Sequence, residues 1–417
     1  MRRWLSTLLA LVFASAAMAQ EEPPITEVLV RLAPLPTTVH TSAVVHSLAL
    51  ATGTVSAGSL HYLPVQRLVL AGQDLATTLA KLRADPLVAY AEPNYPVFAL
   101  SAPNDPALYT LQWGFRRIEG VEAAARRLPQ ENYDAITLAV IDTGVDDRHP
   151  DLAGRFVEGK AFRGGGPLPR DHNGHGTHVA GIAAATTGNG IGIAAPFPGK
   201  IMAVRVLTDT GSGDIADVAD GIAFAVAHGA DVINLSLGAT CKFFVLDTGE
   251  CNTMEDAVED AYAAGVIMVA AAGNSDREEK LYPASYDEVI SVSAWAFDDR
   301  GRAGFSSYHD QVELTAPGEF IYSTYLQGGY QLLSGTSMAA PLVAGSAANV
   351  MAALLATPSD LADDRPRAAR CVRQILRRTA SHYPDRGEKT GFGVVQLDDA
   401  LALVDTLDPA NTRDLCP

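Results

Sequence analysis

Between residues 136 and 356, short apolar runs alternate with alanine-rich stretches of helical spacing. Ile136 to Ile141, Ile201 to Leu207, Val232 to Leu237, Val266 to Ala270 and Val289 to Ala294 read as strands. Asp214 to His228 and Met254 to Ala264 read as helices between them. The strand runs are apolar almost throughout, so both faces of each must be covered. Such strands alternating with helices form a parallel sheet with helices on both faces, an α/β architecture. Ala339 to Ala356 is long and apolar enough to raise the question of a membrane span. Ser346 and Asn349 interrupt it, and we read it as the central buried helix of the α/β domain.

A different pattern precedes this region. Arg2 and Arg3, the apolar stretch Leu8 to Ala16 and the small-residue box Ala17-Met18-Ala19 have the layout of a cleaved export signal, residues 1–19. The apolar stretch is too short to span a bilayer comfortably. Residues 27–100 read as a small α+β unit. Glu27 to Leu32, Arg67 to Leu70 and Leu87 to Tyr90 are its strands, and Gln73 to Arg83 is a helix. Ser101 to Pro106, with two prolines, reads as a linker.

Export makes the four cysteines interpretable as two disulfides. Cys241 and Cys251 are ten positions apart and pair locally, which leaves Cys371 for Cys416 and ties down the tail. No two cysteines share a C-x-x-C spacing, which argues against a metal site. The net charge of −17 suits a soluble secreted chain and disfavours binding to a phosphate backbone, so nucleic acid is not an expected partner.

Three segments carry chemistry. Ala139-Val140-Ile141-Asp142-Thr143-Gly144 runs an apolar strand into an acid and a glycine turn, at the sheet edge where open α/β folds bind ligands. His175-Gly176-Thr177-His178-Val179-Ala180-Gly181 opens a small-residue helix. Ser334-Gly335-Thr336-Ser337-Met338-Ala339-Ala340-Pro341 sets a hydroxyl at the start of the long helix, with Pro341 expected in the first turn, where a missing N–H is tolerated. A serine hydroxyl is a weak nucleophile without an adjacent base, so acid, histidine and serine together make a coherent set.

These segments, in the order Asp, His, Ser and with gaps of 33 (175 minus 142) and 162 (337 minus 175), resemble the signatures of the subtilisin-like serine proteases, the subtilases. The resemblance implies a secreted serine endopeptidase with Ser337 as nucleophile, His175 as general base and Asp142 as its partner, and with no catalytic cofactor. Asn274, in Ala270-Ala271-Ala272-Gly273-Asn274, would donate to the oxyanion beside the Ser337 backbone N–H. Ser236, Leu237 and Gly238 look like the strand that pairs with substrate and walls the S1 pocket, with Gly211, Ser212 and Gly213 as the partner strand. Gly273 and Leu281 would border S1. Leu281, with Lys280 beside it, argues for a broad or apolar P1 preference over a basic one.

The resemblance reaches further. Residues 20–100 are similar to the family's inhibitor-like propeptides, of ferredoxin-like α+β fold. They would act as an intramolecular inhibitor until self-cleavage between Phe98 and Ala102 frees a catalytic domain, 101–417. Gly391 to Val395 resembles the family's final strand. Asp151, in His149-Pro150-Asp151-Leu152, matches a structural calcium ligand of the family, and Asp105 and Asn189 in the 187–191 loop would add oxygens. Protein or peptide substrates, a monomer, and no membrane association after signal removal complete the expectation. Two rival readings are weaker. Asp-Thr-Gly also occurs at Asp209 and Asp247, as an aspartic protease pair would need, but neither copy ends a clean apolar strand. His172, His175 and His178 are spaced three apart like metal ligands, but glycines interrupt the helix and no third-ligand motif follows.

Overall fold

The structure is a computed structural model. It describes residues 26–36, 39–60, 63–94, 103–164, 168–243, 246–247, 251–357, 360–381, 387, 389–407 and 416. The expected export signal and the expected cleavage window lie outside these residues. The chain forms two compact units, Met1–Leu100 and Ser101–Pro417.

The first unit is a four-stranded antiparallel sheet in the order Val55–Ser59, Val65–Val69, Glu27–Leu32, Val88–Pro93. Helices Thr41–Thr52 and Leu75–Ala84 complete it. Val28 and Val30 alternate with less buried neighbours, and with Leu68, Leu79, Leu82, Val45 and Leu48 they form its core. Asp74 caps the second helix by accepting from the Thr77 N–H, so the helix begins at Leu75, two residues after the expected start at Gln73. The first helix and the Val55–Ser59 strand were not foreseen. That helix is stopped by Gly53 in the left-handed conformation, a signal legible in the sequence.

In the second unit, a seven-stranded sheet runs in the order Val312–Pro317, Val289–Trp295, Ile267–Ala271, Val232–Leu235, Thr137–Asp142, Lys200–Arg205, Lys160–Ala161. Every neighbouring pair is parallel, as the alternation of elements requires. Helix Ile215–Ala227 starts at Asp214, whose carboxylate accepts from the Asp217 N–H. Helix Thr336–Ala356 is long and apolar enough to cross a membrane, yet nearly all of it is buried inside the unit. Its small residues allow close packing; Gly345 lies so near Ala183 that an added Cβ would sit 2.5 Å from the Ala183 carbonyl oxygen.

Two details correct the sequence reading. Pro341 is the sixth residue of helix Thr336–Ala356, not a first-turn residue, so its absent N–H takes a partner from the Ser337 carbonyl. Gly391 to Val395 is not a strand. Gly391 and Gly393 turn to positive φ, and the segment makes isolated bridges alone, from Gly391 to Gly387 and from Val394 to Thr315 and Ser381. The disulfides join Cys241 to Cys251 and Cys371 to Cys416, with Cα separations of 5.7 and 4.5 Å.

Candidate active site

Four neighbouring strands of the parallel sheet end at the same edge, and the chain that leaves them builds the site. Thr137–Asp142 ends on the acid itself, which is fully buried. Asp142 Oδ1 accepts from the Thr143 N–H at 2.7 Å and from His175 Nδ1 at 2.8 Å. With the proton on Nδ1, the ring leaves Nε2 as its basic atom. His175 is the first residue of helix His175–Ala184, and its side chain is 27% exposed. Helix and strand can approach this closely because residue 176 is glycine. A Cβ there would lie 2.1 Å from the Gly144 carbonyl oxygen and 3.1 Å from Asp142 Cβ. Burial pulls the His175 pKa down, but the charge and hydrogen bond of Asp142, with the charge of Asp171, outweigh it and hold it above the ordinary 6.5.

Ser337 is the second residue of its helix. Its Oγ donates to the Ser236 carbonyl at 3.3 Å rather than to His175, a long bond. Ser236 holds the same residue a second way. Its Oγ donates to the Ser337 carbonyl at 2.9 Å, the acceptor that Pro341 leaves without a helical donor, and itself accepts from Asn234 Nδ2 at 3.0 Å.

Asn274 follows strand Ile267–Ala271. Its Oδ1 accepts from the Thr336 N–H at 2.8 Å and the Thr336 hydroxyl at 3.1 Å, which turns Nδ2 away as the free donor. Thr336 Oγ1 in turn accepts from the Gly273 N–H. One residue thus fixes the amide of Asn274 and the start of the nucleophile's helix. An amide donor and the N-terminal dipole of a helix next to a hydroxyl can stabilise a developing oxyanion.

The flanking segments meet around Leu281. A Cβ on Gly273, at φ +113°, would lie 2.7 Å from Leu281 Cδ1, and one on Gly238 would lie 3.3 Å from Leu281 Cβ. Ala239 and Tyr282 exchange two backbone hydrogen bonds of 2.9 Å and close this wall. Lys280, beside Leu281, is paired with Asp310 at 2.9 Å. Gly211-Ser212-Gly213 is an exposed turn and not the expected strand. The Thr208 N–H donates to the Ser212 carbonyl and the Gly211 N–H to the Thr208 carbonyl, which folds the segment on itself.

The remaining candidates separate from this centre. His172 is exposed, while His178 is buried with Nε2 on the Gln331 carbonyl, so the three histidines do not converge. Asp105 and Asp151 are both buried. The Gly188 N–H donates to Asp105, and Asn189 Nδ2, the Ile193 N–H and the Tyr330 hydroxyl donate to Asp151. Burial pushes both carboxyls up, and the charge of Asp151 raises Asp105 further. Among the described residues neither has a lysine or arginine partner, and no three His, Cys, Asp or Glu side chains gather as a metal site.

The sequence reading missed Thr143, Asp171, Thr177 and Thr336, which hold the site from behind. Asp171, four residues before His175 in Asp171-His172-Asn173-Gly174, looks in sequence like a solvated turn acid. Only its partners across the fold mark it as buried.

Known proteins place this arrangement. The model of the subtilase family matches residues 134–395. The chain is 39% identical over 345 residues to the thermophilic serine proteinase of Bacillus sp. (strain AK1), covering 80% of this chain and 77% of that one. It is 42% identical over 300 residues to thermitase of Thermoactinomyces vulgaris, covering 72% of this chain and 99% of thermitase. It is 39% identical over 247 residues to subtilisin DY of Bacillus licheniformis, covering 58% and 85%. Two elements that end at one sheet edge, an Asp–His pair and a serine at a helix start thus occur within a matched span of well over half the chain, and the protein belongs to the subtilase family of serine endopeptidases.

Proposed function

We propose that this endopeptidase is secreted and works through an acyl-enzyme on Ser337, with His175 as base and then acid and Asp142 as the partner of the imidazole. The observation that carries this reading is the 2.8 Å bond from His175 Nδ1 to buried Asp142, which leaves Nε2 free at the sheet edge that also bears Ser337 and Asn274. Ser337 Oγ leaves the Ser236 carbonyl, gives its proton to Nε2 and bonds to the substrate carbonyl carbon. Asn274 Nδ2 and the Ser337 N–H stabilise the resulting oxyanion. The C–N bond then breaks as Nε2 returns the proton to the leaving amine. Water, deprotonated by the same Nε2, releases the acid product. Extended substrate backbone pairs with Ser236, Leu237 and Gly238, and Gly211 to Gly213 borders it on the other side. Leu281 between the Gly238 and Gly273 backbones supports an apolar P1 residue.

The chain is made as a zymogen: residues 1–19 direct export, 20–100 inhibit, and self-cleavage between Phe98 and Ala102 releases 101–417. A small antiparallel unit that ends at residue 100 supports this division. Ser337→Ala tests both parts. Hydrolysis of casein and labelling by a serine-directed phosphonate should vanish, and the variant, expressed in a protease-free system, should accumulate uncut. Casein hydrolysis at near wild-type rate by Ser337→Ala would overturn the assignment.

The Asp105–Asp151 pair fits a structural calcium ion in the chemistry of its donors. Two buried carboxylates with no cationic partner among the described residues suit a hard cation, and Asn189 Oδ1 with the carbonyls of the 187–191 loop would supply the other oxygens. Calcium removal should then lower the melting temperature of the inactive variant, whereas an unchanged melting temperature would reject the ion.

A further inference from the structure

Asp171 occupies no role in the reaction as described above, yet it is the most heavily engaged carboxylate near the site. It is 6% exposed. Its Oδ1 accepts from Thr143 Oγ1, the Asn173 N–H and the Gly174 N–H, each at 2.9 Å. Its Oδ2 accepts from the Thr177 N–H at 2.9 Å and the Thr177 hydroxyl at 2.7 Å. Among the described residues it has no ion pair, so dipoles alone hold its charge.

These bonds reach both halves of the Asp–His pair. Thr143 Oγ1 gives its proton to Asp171 and accepts from the Gly176 N–H at 2.9 Å, while the Thr143 N–H donates to Asp142 Oδ1. Thr177 Oγ1 accepts from the Asp146 N–H. The end of strand Thr137–Asp142 and the first turn of helix His175–Ala184 are therefore latched to one carboxylate. N–H groups at a helix start have no internal partner, and an acid that collects them fixes where the helix begins. His175 is the first residue of that helix.

We propose that Asp171 is a positioning residue that latches the helix bearing His175 onto the strand bearing Asp142 and lends its buried negative charge to the imidazolium formed during the reaction. The inference rests on the triad reading above.

The groups that face the imidazole are few. Asp142 lies at the strand end, Asp171 in the preceding loop and His178 one turn along the same helix. The hairpin strand Ile321–Tyr325, also packed on the helix, brings Ser323 and Thr324 to helix carbonyls and the Tyr325 hydroxyl to the Asn173 carbonyl. Helix Thr336–Ala356 presents small and apolar residues. Asp171 is thus the second anion felt by His175.

Two substitutions divide the latch from the charge. Asp171→Asn removes the charge and sets an amide NH₂ against N–H donors. Thr143→Ala cuts the link to Gly176 but keeps the charge. For the wild type and each variant, kcat and KM on a chromogenic peptide with an apolar P1 residue are measured across pH, with phosphonate labelling of Ser337 alongside. Asp171→Asn should lower kcat about tenfold to hundredfold, the scale of a small misplacement of catalytic groups, with KM within about threefold. Its acid limb should also move to lower pH, because the imidazolium loses a stabilising anion. Thr143→Ala should lower kcat without moving the limb, and Thr143→Ser should restore it. Asp171→Asn with wild-type kcat and an unmoved limb overturns the proposal. If Asp171→Asn does not fold, a Thr143→Ala enzyme with wild-type kcat, or a Thr143→Ser enzyme as slow as Thr143→Ala, overturns it instead. Failure of the wild type to label at Ser337 would sink the triad reading and leave these outcomes distinct.

Discussion

At the scale of single residues, the reaction depends on one proton on one ring nitrogen. His175 must be neutral at Nε2 to accept from Ser337, so activity falls as pH drops through its pKa. Burial works for the enzyme here, since it favours the neutral ring, but Asp142 and Asp171 together hold the pKa above 6.5. The acid limb of kcat/KM should therefore have its midpoint above pH 6.5. Asp142→Asn removes the larger anion and leaves the burial, so the midpoint should move below 6.5. The rate should also drop about 10⁴-fold as the tautomer is lost. A midpoint in Asp142→Asn at or above that of wild type would show that something other than Asp142 sets the proton affinity. The three residues proposed to react stood out in the sequence because each lies in a short segment whose neighbours are dictated by close packing. Gly176 beside His175 is an example, since a methyl group at that position would strike the Gly144 carbonyl. Asp171 and Thr143 were not legible, because a buried acceptor of five hydrogen bonds and a solvated turn acid have the same local sequence.

At the scale of elements, the alternation of apolar runs and helical stretches specified the parallel sheet, because strands buried on both faces carry no other pattern. The boundaries also fell within a residue or two for most strands. The outer strand Val312–Pro317 and the hairpin Ile321–Tyr325 with Gly329–Leu333 escaped. The first has Glu313 as its second residue, an acid buried against Arg373 and Arg377 of helix Arg365–Thr379, and such a strand reads as half polar until its partners are known. Pro341 teaches the same lesson in reverse. Its place in the long helix was legible, but not its depth there or its consequence, because the carbonyl it leaves open belongs to Ser337 and is closed by Ser236 from a distant strand end. Ser236→Ala should leave that part-buried carbonyl unmet and cost about 1 kcal/mol of stability, read by denaturant unfolding in an inactive Ser337→Ala background. Adding Pro341→Ala supplies a helical N–H to the same oxygen and should recover much of the loss. If Pro341→Ala changes stability by the same amount with and without Ser236, the two do not share that acceptor.

At the scale of the whole molecule, acid acts twice, and the two effects are separable. His178 and His309 are buried with 0% and 1% exposure, and burial pushes both pKa values down to about 4. Burial is what keeps each ring neutral; for His178 the Gln331 carbonyl pulls the other way. The Gln331 carbonyl takes the Nε2–H of His178, and His309 Nδ1 accepts from the Gln311 N–H. In the unfolded chain both would titrate near 6.5. Between about pH 6.5 and 4 the unfolded state therefore binds more protons than the folded one, and stability falls as pH falls through that window. Each ring contributes a loss of order 3 kcal/mol by the lower end. Asp105, Asp151 and Asp231 oppose this. Burial raises their pKa values, so the folded state takes up their protons first and gains stability as pH drops through those raised values toward 3.8. Their gain is complete near 3.8, where the same carboxyls protonate in the unfolded chain. Brief exposure just below neutral pH should then silence the enzyme through His175 and be fully reversible, since the fold remains. Exposure between pH 5 and 4 should lower the melting temperature of the Ser337→Ala protein, in which self-digestion cannot contribute. Replacing His309 with Gln, which cannot take up a proton, should flatten that decline. A melting temperature that holds level from pH 7 to pH 4 in the His309-containing protein would mean that the buried rings are protonated in the fold, against their apolar surroundings.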